Sequence, residues 1–284
     1  MEEKKYYAVI GYPVGHSLSP AMQNAAFQAC GLQGEYTAME VAPENVEAFA
    51  QKAKNLLAGF NITVPHKNTI IPFLDEIDPL AAMQGSVNTV INQNGALYGT
   101  STDGYGLQEA LKESFSFEIR KNTVCFIGCG GVVKALAFHF AAKGVKSIFL
   151  LNRTVSTAQA LCDSLRKNFS SLECACAPLS DEEAIRDFLS ESTLAVQCTS
   201  LGLKKEDPAP IAPSLLPQDI FFFDTIYKKT PLLQYAEENH IKSANGLGML
   251  LHQGAKSFSL WTGKEAPVEE MRKALYEAFY RQNR

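Results

Sequence analysis

Long apolar runs, clustered metal-ligand residues and blocks of a single charge are all missing from this sequence of 284 residues. No segment approaches the roughly 20 consecutive apolar residues of a membrane-spanning helix, so no membrane partner is expected. The N-terminal MEEKKYYAVIGYP has no apolar stretch of signal-peptide length, and the expected location is cytoplasmic. The formal net charge is −4, and no lysine or arginine run is long enough to track a phosphate backbone, which argues against nucleic acid. Seven cysteines, at 30, 125, 129, 162, 174, 176 and 198, form no CxxC pair, and no histidine stands at metal-ligand spacing. They read as reduced, mostly buried small residues, with no metal. There is no repeat of 20 to 50 residues and no low-complexity tract beyond the short proline-rich loop EDPAPIAPS.

Hydrophobic residues make up 46% and charged residues 20%, the balance of an ordinary globular protein. At roughly 150 residues per domain, the length suits two domains. In the first hundred residues, strand-like runs (YYAVIGY, EYTAMEV, GFNITV, VNTVIN) alternate with amphipathic stretches such as PENVEAFAQKAKNLLAG. That alternation predicts an α/β domain with a mainly parallel sheet. From about residue 120 a second α/β series follows: TVCFIG, a helix over GVVKALAFHFAAKG, SIFLLN, a helix after Thr154, LAVQCTS and DIFFFDTIY. Near residue 245 the pattern turns all-helical, and Pro267 opens a stretch with Val268, Met271, Leu275, Ala278 and Phe279 on one face. Periodicity does not say which domain these two helices join.

The run TVCFIGCGGVVKA sets Gly128, Gly130 and Gly131 between a strand and a helix, the context in which a glycine turn binds a dinucleotide pyrophosphate. Val133 stands where the fingerprint has a third Gly or Ala, which predicts slightly wider helix-to-strand packing. The next strand ends at Asn152, Arg153 and Thr154, with no acid to hold the ribose hydroxyls of NAD and a cation suited to the 2′-phosphate of NADP. NADP is the expected cofactor. A glycine motif and a lone arginine also occur as plain turn and surface features.

Four further segments crowd polar side chains against glycine and proline: GYPVGHSLSPAMQN, GFNITVPHK, GSVNT and GTSTDGYG. With these in order, followed by GCGGVVKA, NRT, CTSLG and NGLGMLLHQGAKSFSLWTG, the chain resembles the shikimate dehydrogenase family along nearly its whole length. The resemblance implies NADP-dependent, reversible reduction of 3-dehydroshikimate to shikimate, by a monomer or homodimer. It implies a Rossmann-type NADP domain over residues 105–244 and a substrate domain of residues 1–104 plus 245–284, the terminal helices returning to the first domain.

Carried over by position, Lys67 and Asp103 are the implied catalytic pair. Ser17 and Ser19 hold the substrate carboxylate, Asn61 and Thr63 line the same pocket, and Asn88 contacts the ring hydroxyls with Asp103. Gln253 and Tyr227 complete the substrate set. The implied cofactor contacts are Gly128, Gly130, Gly131, Val132, Asn152, Arg153, Thr154, Thr199, Gly246 and Met249. The residue types suit the chemistry, because oxidising a secondary alcohol needs an acid/base group opposite the nicotinamide face. Taken alone, Lys67 could be a surface lysine, Asp103 a helix cap before Gly104, and Ser17 and Ser19 turn residues. His16 and His66 read as orienting or structural, and His139 and His240 as structural.

The chain departs from the family pattern at several places. Ser101 replaces a frequent Asn, Gln23 a His, and Gln197 an Asn before CTS. Thr157 stands where a second basic residue often reads the 2′-phosphate, and YKKTPLL after Tyr227 is shorter than usual. The alternatives are a quinate/shikimate dehydrogenase of broader substrate or NAD use, a methylenetetrahydrofolate dehydrogenase, against which HSLSP and STDG speak, and a non-catalytic sensor that keeps the pocket.

Overall fold

A computed structural model describes residues 3–283. In chain order the elements are β1 (Lys5–Gly11), α1 (Ser19–Ala29), β2 (Gly34–Glu40), α2 (Val46–Leu56), β3 (Gly59–Ile62), β4 (Glu76–Ile77), α3 (Pro79–Gln84), β5 (Thr89–Gln93), β6 (Ala96–Thr100) and α4 (Asp103–Phe115). There follow β7 (Thr123–Ile127), α5 (Gly131–Ala142), β8 (Ser147–Asn152), α6 (Val155–Asn168), β9 (Glu173–Pro178), α7 (Glu182–Glu191), β10 (Leu194–Gln197), β11 (Phe221–Asp224), α8 (Pro231–Glu238) and β12 (Ser243–Ala244). The helices α9 (Leu247–Thr262) and α10 (Val268–Gln282) close the chain. Two compact units result: one holds the chain up to Gly106 and again from Leu250 onward, the other is Leu107–Met249.

The first unit has one sheet in the order β2-β1-β3-β5-β6-β4. Strands β1 and β2, β1 and β3, and β4 and β6 pair parallel, whereas β5 runs against both its neighbours. The reversal follows from Asn94-Gly95, both at positive φ, which is the chemistry of a tight hairpin turn between β5 and β6. Strand β1 is buried from Tyr7 to Gly11 because both faces are covered. Helical spacing places Val46, Ala50 and Ala53 of α2 on one face, and they pack with Ile10, Phe60 and Ile62. Elsewhere in the unit Tyr7 stacks on Phe27 at 4.8 Å, Trp261 of α9 lies 5.2 Å from Tyr7, and its indole Nε1–H donates to the Val90 carbonyl at 2.9 Å. Helix α10 buries Met271 and Leu275 and lies along α1.

The second unit is a wholly parallel sheet in the order β12-β11-β10-β7-β8-β9. Chain order reverses between β7 and β10. In such sheets the crevice beyond the carboxyl ends of those two strands is where a dinucleotide sits. Among the described residues no helix is long and apolar enough to cross a membrane, and no group of His, Cys, Asp or Glu is arranged to hold a metal ion.

Candidate active site

Two loops leave adjacent parallel strands side by side in the first unit. The loop after β1 carries Ser17 and Ser19, and the loop after β3 carries Thr63 and Lys67. They are tied where Thr63 N–H donates to the Ile10 carbonyl at 2.8 Å and Tyr12 N–H donates to that of Val64 at 3.1 Å. His66 is fully buried and anchors the second loop, its ring Nε2 lying 2.6 Å from the Val41 carbonyl. The next residue, Lys67, is thereby fixed in direction, and its own carbonyl accepts the Val87 N–H at 2.8 Å.

Lys67 Nζ lies 2.6 Å from Asp103 Oδ2, with 23% of the lysine side chain and 7% of the aspartate side chain exposed. A buried carboxylate is tolerated when its other lone pairs are also satisfied. Here Asn88 Nδ2 donates to Asp103 Oδ1 at 2.8 Å. The Asn88 amide cannot turn over, because its Oδ1 accepts the Thr102 backbone N–H at 2.8 Å and the Thr89 hydroxyl at 2.9 Å. Asn88 thus aims the carboxylate, and Asp103, the first residue of α4 rather than a cap before it, aims the lysine.

Further residues join this network. Gln253 Oε1 accepts from Asn88 Nδ2 at 3.4 Å, and Asn61 Nδ2 donates to the Asn88 carbonyl at 3.1 Å and to the hydroxyls of Thr89 and Ser257, each at 3.0 Å. The Tyr36 hydroxyl donates to Asn61 Oδ1 at 2.7 Å. Lys67, Asp103, Asn88, Asn61 and Gln253 therefore form one network, while Ser17, Ser19 and Thr63 stand outside it. Ser17 Oγ accepts the Ser19 N–H at 3.3 Å at the start of α1, where free backbone N–H groups favour an anion. Sequence reasoning missed Tyr36, Thr89, Thr102 and Ser257. Thr89 and Thr102 adjoin Asn88 and Asp103, and Ser257 lies one turn after Gln253, but nothing in the sequence distinguishes Tyr36 from any aromatic in a strand.

Two family departures have plain structural roles. Gln23 is fully buried and donates through Nε2 to the Gly254 carbonyl at 2.9 Å, tying α1 to α9. Gln197 turns inward at the end of β10, accepting the Thr199 N–H and donating to the Leu201 carbonyl at 3.1 Å. Ser101 places its hydroxyl where it is buried without a hydrogen-bond partner.

In the second unit, Gly128 ends β7 at φ +98°, and a Cβ there would stand 2.7 Å from Thr199 Cγ2 and 3.0 Å from the Thr199 nitrogen. No other residue fits that turn. At Gly131, which opens α5, nothing lies within 4 Å of such a Cβ, so the backbone faces open space at a helix N-terminus. Asn152 joins the two expected cofactor segments: its Oδ1 accepts the Cys129 N–H at 3.0 Å, and its Nδ2 donates to the Thr154 carbonyl at 2.9 Å. Arg153, Thr154 and Thr157 are exposed, Val132 and Thr199 are half-buried, and Val133 is buried in α5. The open glycine turn and the exposed guanidinium beside it fit a phosphorylated dinucleotide.

The loop carrying Tyr227 is held by buried Asp224, whose Oδ1 accepts the Ile226 N–H at 2.9 Å and whose Oδ2 accepts the Thr230 hydroxyl at 2.6 Å. Asn245 Nδ2 donates to the Tyr227 carbonyl at 3.2 Å, and Gly246 packs so closely under Thr225 that a side chain is excluded. Met249 is buried. Burial pushes the Asp224 carboxyl from its ordinary 3.8 up to about 6. Burial, with Lys143 nearby, drives His139 from 6.5 down to about 4, and His139 Nε2 lies 2.9 Å from Gln108 Oε1.

These two groups act on stability with opposite signs. Between about pH 4 and 6 folded Asp224 binds more proton than the unfolded chain does, so its contribution is lost as pH rises. Between about pH 6.5 and 4 the unfolded chain protonates His139 first, so that contribution is lost as pH falls. Asp224→Asn is therefore expected to steepen the acid-side loss of stability relative to the parent, and His139→Gln to flatten it, as measured by urea unfolding at intervals across this range. Curves parallel to the parent's would rule the assignment out.

A chain with a Rossmann-ordered sheet, an open glycine turn at its switch point, and a lysine–aspartate pair in a second α/β unit is of the two-domain nicotinamide dehydrogenase class. Three family models match: the shikimate dehydrogenase substrate binding domain over residues 9–90, shikimate/quinate 5-dehydrogenase over 109–200, and the shikimate 5′-dehydrogenase C-terminal domain over 246–276. The shikimate dehydrogenase (NADP(+)) of Alkaliphilus metalliredigens is 40% identical over 272 residues, 94% of each chain. That of Methanopyrus kandleri is 38% identical over 280 residues, 97% of this chain and 96% of its own. Among solved structures, shikimate 5-dehydrogenase from Listeria monocytogenes in complex with shikimate and NAD superposes with a TM-score of 0.90 at 33% identity, covering 97% of this chain and 99% of the other. The Thermus thermophilus enzyme in complex with NADP(H) and shikimate gives 0.86 at 33%, covering 96% and 99%. The chain belongs to the shikimate dehydrogenase family.

Proposed function

We propose that this protein catalyses the reversible, NADP-dependent reduction of 3-dehydroshikimate to shikimate, the step that feeds chorismate and aromatic amino acid synthesis. The observation that carries the reading is the 2.6 Å contact of Lys67 with an Asp103 whose other oxygen is clamped by Asn88. NADP bound there would supply the hydride acceptor for the alcohol carbon and, in reduced form, the hydride donor. Gly128, Gly130 and Gly131 with the start of α5 hold its pyrophosphate, and Arg153 holds the 2′-phosphate. Lys67 Nζ exchanges the alcohol proton, Asp103 keeps that nitrogen on line, and Asn88 keeps Asp103 from swinging into solvent. Ser17 and Ser19 anchor the substrate carboxylate, with Thr63, Gln253 and Tyr227 completing the contacts.

The relatives named above act with NADP or are seen with shikimate, which supports the reading. Quinate is the competing substrate, because one matching family model spans both activities and a quinate dehydrogenase from Corynebacterium glutamicum shares the fold at 26% identity, with a TM-score of 0.88. Steady-state oxidation of shikimate and quinate, each with NADP and NAD, tests it. The highest kcat/KM is expected for shikimate with NADP, and faster turnover of quinate would replace the proposal. The same reading takes the protein to be cytoplasmic and a monomer or homodimer.

Ser17→Ala should raise the KM for shikimate roughly tenfold or more, the usual cost of one hydroxyl bonded to a charged group, while leaving that for NADP alone. Removing the Ser17 contact to the Ser19 N–H should also lower the melting temperature slightly. An unchanged shikimate KM in the folded variant would take the carboxylate away from this loop.

A further inference from the structure

Three of the seven cysteines converge in the dinucleotide-binding unit, and nothing in the proposed reaction uses them. Cys174 and Cys176 are two residues apart on β9, so they share a face of that strand. Strand β9 is the edge of its sheet, and α6 covers the shared face with Ala158, Leu161, Cys162 and Leu165. Cys162 is fully buried, and its Sγ lies 2.7 Å from that of Cys174. Cys176 is half-buried, interacts with the Cys162 sulfur, and contacts Gln159 Oε1 at 3.2 Å. Among the described residues no group of three or more His, Cys, Asp or Glu is arranged to hold a metal ion.

We propose that Cys162, Cys174 and Cys176 form a thiol-oxidation site, at which a small organic disulfide closes a Cys162–Cys174 bond between α6 and β9. Cys176 is the member solvent reaches. Its thiolate attacks one sulfur of the reagent RSSR, forming a Cys176–SR mixed disulfide and releasing RS⁻, which takes up the proton that Cys176 gave. The Cys162 thiolate then attacks the Cys176 sulfur and expels the second RS⁻. Finally, Cys174 attacks Cys162 and returns Cys176 to the thiol. Two protein thiols are oxidised, one RSSR is reduced to two RSH, and protons balance.

The charges around the cluster set the rate. Hydrogen bonding to Cys174 and then burial push the Cys162 thiol up, and burial followed by neighbouring Cys162 does the same for Cys176, with Asp163 adding to it. Burial also pushes Cys129 up to about 12. Arg166 opposes this at Cys162 and Cys176, and it donates to the Cys174 carbonyl. The raised Cys162 and Cys176 thiols hold less thiolate near neutrality than free cysteine, so oxidation should speed up as the pH rises. Once closed, the bond crosslinks a short loop and holds α6, which follows directly on Arg153 and Thr154, to its strand.

The test is incubation of the whole protein with bis(2-hydroxyethyl) disulfide at pH 8.5, followed by thiol counting and peptide mapping without reductant. Two of the seven thiols should disappear, the map should join Cys162 to Cys174, and the melting temperature should rise by several degrees, reversibly with dithiothreitol. Cys176→Ser should slow the reaction at least tenfold and still give the same link. Seven thiols surviving, or a link joining any other pair, overturns the proposal. An unchanged rate in Cys176→Ser removes Cys176 as the first thiol to react and overturns the pathway. The mapping of the parent protein is decisive on its own should that variant not fold.

Discussion

Lys67→Ala should lower kcat by about 10²- to 10⁴-fold, the usual contribution of a positioned acid/base group, with a much smaller change in shikimate KM. Lys67 Nζ lies on Asp103 Oδ2, and the alanine leaves the carboxylate with its Asn88 contact but without a proton carrier. Asp103→Asn should be comparably damaging for a different reason. The Asn88 amide donates to whatever occupies Oδ1, so an asparagine there keeps its oxygen toward Asn88 and turns its own NH₂ toward the lysine ammonium. Two donors then face each other, and the lysine leaves its line. Because the two residues act as a unit, the double variant should be scarcely slower than the slower single one. Stopped-flow and steady-state turnover measure this directly. Near-normal turnover in Lys67→Ala would end the mechanism, and losses that multiply would mean that the residues act separately.

Arg153→Ala should raise the KM for NADP about tenfold while the value for NAD changes about twofold or less, the difference expected from one charge-assisted contact to a phosphate. The residue is exposed at the end of β8, makes no ion pair with another described residue, and follows the Asn152 that braces the glycine turn. Thr157 adds no second cation one turn into α6, so in the proposed reading the discrimination rests on Arg153. Exposure also makes the effect dependent on salt, and the preference should narrow when cofactor binding is measured at high ionic strength. Equal weakening of both cofactors would show that Arg153 does not read the 2′-phosphate.

Local signals in the chain explain which elements were readable. SIFLLN forms β8 and GVVKALAFHFAA forms α5, because continuous apolar runs of strand length and a glycine-led helix carry their own signature. The two-residue strands β4 and β12 and the six-residue α3 are too short for any periodicity. Strand β6 had a local signal in Asn94-Gly95, yet the polar run around STDG concealed it. Strand β9 is ECACAP, an edge whose small residues announce neither face.

By itself the sequence determined the α/β class, the second unit's glycine turn with its arginine, and the family, because each is written in contiguous segments whose spacing carries the physics. The placement of α9 and α10 is different: their amphipathic faces would suit either unit, and the packing of Trp261 and Phe258 on Tyr7 and Phe27, with Met271 and Leu275 of α10 buried, decided it. The active network was likewise decided only in three dimensions. Lys67, Asn88, Asp103 and Gln253 lie on four separate segments, and only the tertiary fold brings them within hydrogen-bond range. Whether Asn88 braces the aspartate depends on which way its amide points, and the Thr102 backbone N–H fixes that direction.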